Sequence, residues 1–444
     1  MSKQILVIGA GKSATALIDY LIAEAKDNDW LVIVADTNLE LAASKTGHAA
    51  VARAVSIDVQ DTTSRNLLVK TADLVISLLP AALHFLVAQD CIKFKKKLLT
   101  ASYLDDAMRG LQAAIEEKKL LFLCEMGLDP GIDHMSALQL VHRIKKKNGI
   151  ITSFVSHCGG LVAPESDTNP WHYKISWNPR NVVTAGKAGA VYRQHKKTKK
   201  MAYEKLFDPK RLTAVPGLGT LAWYPNRDSL GYIDLYQLQS AETFIRTTLR
   251  YPGFCKGWKQ IINMGLTSET DFYETDGMSL QTFFTTHLKK YVATGSHTQK
   301  ASVPRSFTRQ LAFLGLHDQE TLIGMGRRSA LDVLQFALEK KLALDNNDHD
   351  MVVMLHEIEY LQEGKKYRVR SHMILKGTDN RHTAMAMTVG LPLGIAAKLI
   401  LQGKITITGL HIPVIASIYE PVLQALQQHG IVFQENTEVL GKPV

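Results

Sequence analysis

Short apolar runs alternate with longer stretches of helical period along the first third of the chain. Ile5-Leu6-Val7-Ile8, Leu31-Val32-Ile33-Val34-Ala35, Val55-Ser56-Ile57, Leu74-Val75-Ile76-Ser77-Leu78-Leu79, Lys97-Leu98-Leu99-Thr100-Ala101 and Leu120-Leu121-Phe122-Leu123-Cys124 each read as a strand. Most are apolar on successive positions, the pattern of strands buried on both faces. Leu17, Ile18, Leu21 and Ile22 have the spacing of a helix that covers such a sheet, and Met135 to Ile144 repeats it after the sixth run. Strands and helices in this alternation predict an α/β fold of Rossmann type, a doubly wound parallel sheet. From about 150 to 353 strands, loops and polar helices alternate, with Pro/Gly punctuation at Val215-Pro216-Gly217-Leu218-Gly219, which predicts a second α/β domain. Ser306 to Leu344 has a helical pattern interrupted by Gly324 and Gly326, a small helical lobe. Met351 to Ile358 and Tyr367 to Ile374 read as paired strands, and the chain turns helical again beyond Thr383. The expected division is 1–133 for dinucleotide binding, 134–382 for substrate with the lobe near 306–344, and 383–444 as a C-terminal segment.

Composition narrows the class. A chain of 444 residues exceeds what one core usually organises, and 46% apolar with 21% charged residues is a globular balance. Cys91, Cys124, Cys158 and Cys255 are too few and too scattered for a disulfide framework or a zinc site, so no metal is expected. The apolar stretch Ala384 to Leu401 holds Pro392, two glycines and Lys398, which fits a buried helix better than a membrane span. No signal-like segment stands before the first strand, and the expected location is the cytoplasm. The net charge of +10 raises a nucleic-acid reading. Its lysine runs at 95–97, 145–147 and 195–200 carry no interleaved aromatic platform, so they read as solvated faces and neither nucleic acid nor membrane is expected as a partner.

Candidate chemistry gathers at strand ends. Gly9-Ala10-Gly11-Lys12-Ser13-Ala14 joins the first strand to the first helix; Gly9 and Gly11 allow close backbone approach to a pyrophosphate, and Ala14 stands where a third glycine often keeps helix and strand close. Lys12 and Ser13 lie in reach of a phosphate, although the spacing is not that of a P-loop. Asp36 ends the second strand, where a carboxylate accepts from a ribose hydroxyl and repels a 2′-phosphate. With no Arg or Lys following before Lys45, the expectation is NAD rather than NADP. Asp58, Leu79, Pro80 and Tyr103 stand at or near later strand ends, Tyr103 reading equally as a packed aromatic. Glu125-Met126-Gly127-Leu128-Asp129-Pro130-Gly131 places a carboxylate in a turn after the sixth strand, either a ligand-facing residue or simply the N-cap of the next helix with Pro130 in first position.

Ser77-Leu78-Leu79-Pro80, Thr100-Ala101-Ser102-Tyr103, Glu125 to His134, His157-Cys158-Gly159-Gly160-Leu161, Lys174-Ile175-Ser176-Trp177, Tyr224-Pro225-Asn226-Arg227, Thr248-Leu249-Arg250-Tyr251 and Thr388-Val389-Gly390-Leu391-Pro392 follow one another in an order that resembles the saccharopine dehydrogenase family of the L-glutamate-forming type, also called saccharopine reductases. The likeness covers essentially the whole chain. Three positions depart from it: His157 stands for an aromatic, Thr247 for a glycine, and Trp223 precedes Tyr224 where Glu-Gly is usual. The resemblance implies cleavage of saccharopine to L-glutamate and 2-aminoadipate 6-semialdehyde, by hydride transfer and imine hydrolysis, for which the Asp36 argument makes NAD the expected acceptor. It implies a terminal segment that returns to the nucleotide-binding domain, a small-molecule partner, and a chain for which a homodimer is compatible. Asp129, Tyr103 and Cys158 match the polar positions of the family's site; Arg227, Arg246 and Arg250 suit the substrate's carboxylates, with Ser102, Gly159 and Trp177 beside them and Leu128 near the cofactor. Two rivals stand against this: a carboxynorspermidine or homospermidine synthase, which would want carboxylates rather than arginines for its polyamine, and a catalytically silent NAD-binding module.

Overall fold

The structure, a computed structural model, describes residues 2–293 and 304–440. The chain forms two compact units, Met1–Ile150 with Arg381–Gln434, and Ile151–Asn380 with Glu435–Val444.

In the first unit, six strands alternate with helices: β1 (Lys3–Ile8), β2 (Trp30–Asp36), β3 (Ala52–Ser56), β4 (Leu74–Ser77), β5 (Lys97–Thr100) and β6 (Leu121–Leu123). Their order across the sheet is β6-β5-β4-β1-β2-β3, with the late strand Gly409–His411 added beside β6, and every pairing is parallel. This is the doubly wound arrangement, with the chain reversing direction across the sheet between β1 and β4. Ile5, Leu6, Val7, Val32, Leu74, Val75, Ile76, Leu98 and Leu99 are fully or almost fully buried, as strands covered on both faces must be. The helix Ala384–Leu401 is long and apolar enough to cross a membrane, yet 78% of that stretch is buried within the protein.

The second unit is built on a mixed ten-stranded sheet. Its elements are β7 (Ile150–Val162), β8 (Ala190–Gln194), β9 (Lys197–Met201), β10 (Leu212–Val215), β11 (Gly219–Pro225), β12 (Arg227–Asp228), β13 (Thr243–Arg250), a separate ribbon of β14 (Phe272–Glu274) and β15 (Arg327–Ser329), and the long hairpin β16 (Asp350–Gln362) and β17 (Lys365–Lys376), with the strand Gln434–Val439 at its edge. β7 lies between β13 and β16, pairing parallel with β13. A large aromatic core holds Trp171, Tyr173, Tyr224, Phe254 and Trp258, with Phe254 and Trp258 stacked at 5.2 Å. Phe307, Leu311, Leu331 and Leu334, from the stretch of helical pattern near 306–344, belong to that same core. A second cluster of Leu161, Val215, Leu221, Leu249, Met351, Val353 and Leu355 packs separately.

Candidate active site

In the first unit the sequence places a tight turn at the end of β1. Gly9 has φ of +108°, and a Cβ there would stand 3.0 Å from the Leu78 carbonyl oxygen, so the turn requires glycine. The Gly9 amide donates to Ala35 O at 2.8 Å, and the turn runs through Lys12–Ala14 into the helix Thr15–Asn28. No side chain caps either start, and Lys12 is exposed there while Ser13 is half-buried and Ala14 buried. The arrangement fits a dinucleotide's pyrophosphate. Leu79 is half-buried and Pro80 exposed at the start of the helix Ala81–Lys93, and Asp58 lies beyond β3, exposed and accepting from its own Gln60 amide at 2.9 Å.

Asp36 does not stand open at the end of β2. Its Oδ2 accepts from the Ala10 amide at 2.7 Å and its Oδ1 from the Asn38 amide at 3.0 Å, so this carboxylate ties the glycine turn to the second strand. Positive charge gathers near the first helix. Lys45 Nζ donates to Thr15 Oγ1, and Arg381 donates to the Ser44 carbonyl at 3.0 Å. Burial, and then the proximity of Arg381, lower the Lys45 pKa below its ordinary value.

The ends of β5 and β6 carry the central pair. The Tyr103 hydroxyl donates to Asp129 Oδ1 at 3.0 Å, both side chains being half-buried. The helix Ile132–Lys146 has Gly131 as its N-cap with no side-chain cap, which removes the reading of Asp129 as the capping residue. The Asp129-Pro130 peptide is cis, and Leu128 behind it is buried. Ser102 shares a 2.8 Å hydrogen bond with His84 Nε2, whose Nδ1 reaches Ser77 at 2.8 Å. Burial pulls the His84 pKa down to about 4, with the Asp105 charge opposing, so the ring is neutral at ordinary pH. Residues that the sequence reading left without a role, Glu125, His134 and His84, surround this pair. The signal for Glu125 and His134 was a carboxylate and a histidine flanking the turn, which local pattern does not distinguish from core residues, and His84 lies in the helix Ala81–Lys93, away from that turn.

In the second unit the arginines differ in setting. Arg246 on β13 is 2% exposed with its guanidinium 4.4 Å from the Tyr232 ring centre. Arg250, 4% exposed, lies 5.3 Å from the Tyr173 ring and 5.6 Å from that of Phe254. Its Nη1 donates to the Leu249 carbonyl, whereas its buried Nε has no hydrogen-bond partner among the described residues. Burial raises the nearby Tyr224 phenol, which therefore stays neutral, as does Cys255, pushed up to about 12 by burial. Cys158 pairs in register with Thr248 on β13 and is buried. Gly159 is a packing requirement, since a Cβ would meet Leu249 Cβ and O at 2.7 Å. Trp177 is half-buried and donates from Nε1 to the Tyr173 hydroxyl at 2.8 Å. Arg227 is exposed on β12 with φ of +50°.

The three departures noted in the sequence are one contact group. His157 shares a 2.6 Å hydrogen bond with Thr247 Oγ1, and its ring meets that of Trp223 edge-on at 5.8 Å. His157 Nε2 also reaches Glu357 at 3.1 Å; burial would raise that carboxyl, but His157 and Arg370 outweigh it and hold it below the ordinary range.

Among known proteins, the family model of the saccharopine dehydrogenase NADP binding domain matches residues 5–123, and that of the saccharopine dehydrogenase C-terminal domain matches 127–431. The chain belongs to the saccharopine dehydrogenase family. It is 33% identical to the saccharopine dehydrogenase (NADP(+), L-glutamate-forming) of Saccharomyces cerevisiae over 98% of this chain and 100% of that one, and 31% identical to its namesake of Pyricularia oryzae over 98% and 99%. It is also 33% identical to the α-aminoadipic semialdehyde synthase of Arabidopsis thaliana, of whose length it spans 45%. The solved apo enzyme of Saccharomyces cerevisiae matches with a TM-score of 0.86 at 32% identity, over 98% of this chain.

These relatives correct the cofactor expectation. The nucleotide-binding family model and the fungal relatives are described as NADP-dependent, which overturns NAD as the main cofactor. In the structure Asp36 accepts from the Ala10 and Asn38 amides and ties its own loop, so its place at the strand end is explained without a ribose contact.

Proposed function

We propose that this saccharopine dehydrogenase family member oxidises saccharopine at the carbon next to its secondary amine, using NADP, and releases L-glutamate and 2-aminoadipate 6-semialdehyde. The observation that carries the reading is the 3.0 Å Tyr103–Asp129 pair, a proton-managing couple at adjacent strand ends in a chain of this family. NADP, when bound, supplies the hydride acceptor. Asp129 accepts the proton shed when the amine becomes an imine, and the Tyr103 hydroxyl orients that carboxylate. Water then adds to the imine carbon, and the carbinolamine breaks its C–N bond to give the aldehyde and the free amino group of glutamate. The second unit carries Arg227, Arg246 and Arg250, guanidinium groups of the kind that pair with carboxylates such as those of saccharopine. Arg250 supports this most directly, as a buried guanidinium whose Nε finds no hydrogen-bond partner among the described residues. Such a lining opposes a polyamine substrate. The test is absorbance growth from reduced cofactor on adding saccharopine to the full chain with NADP. No turnover of saccharopine, together with turnover of a carboxynorspermidine-type substrate, would sink the assignment.

A further inference from the structure

Tyr103 is bracketed on both sides by one buried residue. The Glu125 amide donates to the Ser102 carbonyl at 3.1 Å, and Glu125 Oε1 accepts from the Leu104 amide at 2.9 Å. Its second oxygen, Oε2, lies 2.8 Å from His134 Nε2, in the first turn of the helix that follows Asp129. From there the network continues: His134 Nδ1 is 3.6 Å from Asp133 Oδ2, and Asp133 Oδ1 accepts from the Gly131 amide at 2.7 Å. The segments that carry Tyr103 and Asp129 are thus joined through Glu125 and His134.

Two features set Glu125 apart from a carboxylate that merely fills the core. Its φ is +57°, in the left-handed region where Gly or Asn is usual, so the chain accepts backbone strain to place this side chain. Its side chain is 2% exposed and that of His134 fully buried, and a carboxylate so deep is tolerated only with its oxygens hydrogen-bonded. Both oxygens are used to hold the two segments rather than to face solvent.

We propose that Glu125, braced by His134, is a positioning residue that sets the Tyr103–Asp129 hydrogen bond, and its kinetic consequence rests on the function proposed above. In the full chain, Glu125→Ala should lower kcat for saccharopine about ten- to a hundredfold while KM and NADP affinity stay within about twofold. Glu125→Gln should restore most of the loss, because an amide oxygen still accepts from the Leu104 amide. In a Tyr103→Phe background Glu125→Ala should cost less than about threefold more, since the contact it positions is already gone. Equal losses in both backgrounds would make Glu125 a general stabiliser and overturn the proposal. A crystal structure of the Glu125→Ala variant decides without any turnover: the Tyr103 Oη to Asp129 Oδ1 contact should open beyond hydrogen-bond distance, and an unchanged contact overturns the proposal. A parent chain inactive on saccharopine would count against the proposed function alone. Should Glu125→Ala not fold, His134→Ala removes the brace and is read by the same structural criterion.

Discussion

Asp129 accepts from a phenol and stands two residues before the helix cap, and Asn keeps its shape and an acceptor oxygen while removing the charge. Asp129→Asn should therefore leave the melting temperature nearly unchanged and lower turnover by roughly one to three powers of ten. Unchanged turnover by the cofactor absorbance assay would remove Asp129 from the mechanism. His84 has the opposite character: neutral, buried and bonded to Ser77 and Ser102. Its folded pKa of about 4 lies below that of an unfolded histidine, so between these values the unfolded chain binds the extra proton. The stability from neutral His84 is fully present above about pH 6.5 and is lost as pH falls toward 4, a loss of order 3 kcal/mol. His84→Gln can still bond both serines and cannot titrate. The drop in melting temperature between about pH 7 and about pH 5 should be smaller in that variant than in the parent, and an equal drop would assign the acid sensitivity elsewhere.

At the scale of elements, the helix Ala384–Leu401 meets the helix Thr15–Asn28 through small residues. A Cβ at Gly390 would lie 2.7 Å from the Leu17 amide nitrogen, a backbone atom that cannot turn aside. At Gly394 the first obstacle is the Tyr20 ring, 2.6 Å away, which can rotate. Gly390→Ala should accordingly destabilise by about 1–3 kcal/mol despite alanine's better helix propensity, and Gly394→Ala by less. Thermal melting of the two variants checks the order; a stabilised Gly390→Ala would mean the helices separate at no cost. The helix was readable as an apolar run, but a run apolar all round does not say which face meets which partner. The strands of the first sheet were readable for a better reason: each is a short, nearly continuous apolar stretch, and β1, β2 and β4 to β6 occur where those stretches lie. β3 is shifted toward the N-terminus, Ala52–Ser56, because its half-exposed pattern carries less apolar signal.

For the whole molecule, the chain crosses between its units near 150, 380 and 434, so residues 1–150 alone are an incomplete body. That piece lacks the helix that covers Leu17 and Tyr20, and the strand Gly409–His411 that pairs with β6. Expressed alone, 1–150 should expose that apolar face and aggregate, whereas 1–150 joined through a flexible linker to 381–434 should be soluble and show a cooperative melt. A cooperative, monomeric 1–150 would show that the returning segment adds little to the unit.

Local pattern by itself determined the parallel α/β sheet, the glycine turn at Gly9, the strand-end location of Tyr103 and Asp129, and the likeness to saccharopine dehydrogenases. Each of these depends on neighbours within a few residues, where apolar period and turn chemistry act. Tertiary structure alone decided which partner each polar group found. Asp36 accepts from Ala10, 26 residues away; Tyr103 finds Asp129 across the same separation; Glu125 reaches forward to His134 and back to Leu104. A carboxylate has the same sequence signature whether it faces a ligand, caps a helix or braces a loop, because those roles differ only in the donors that folding brings within about 3 Å.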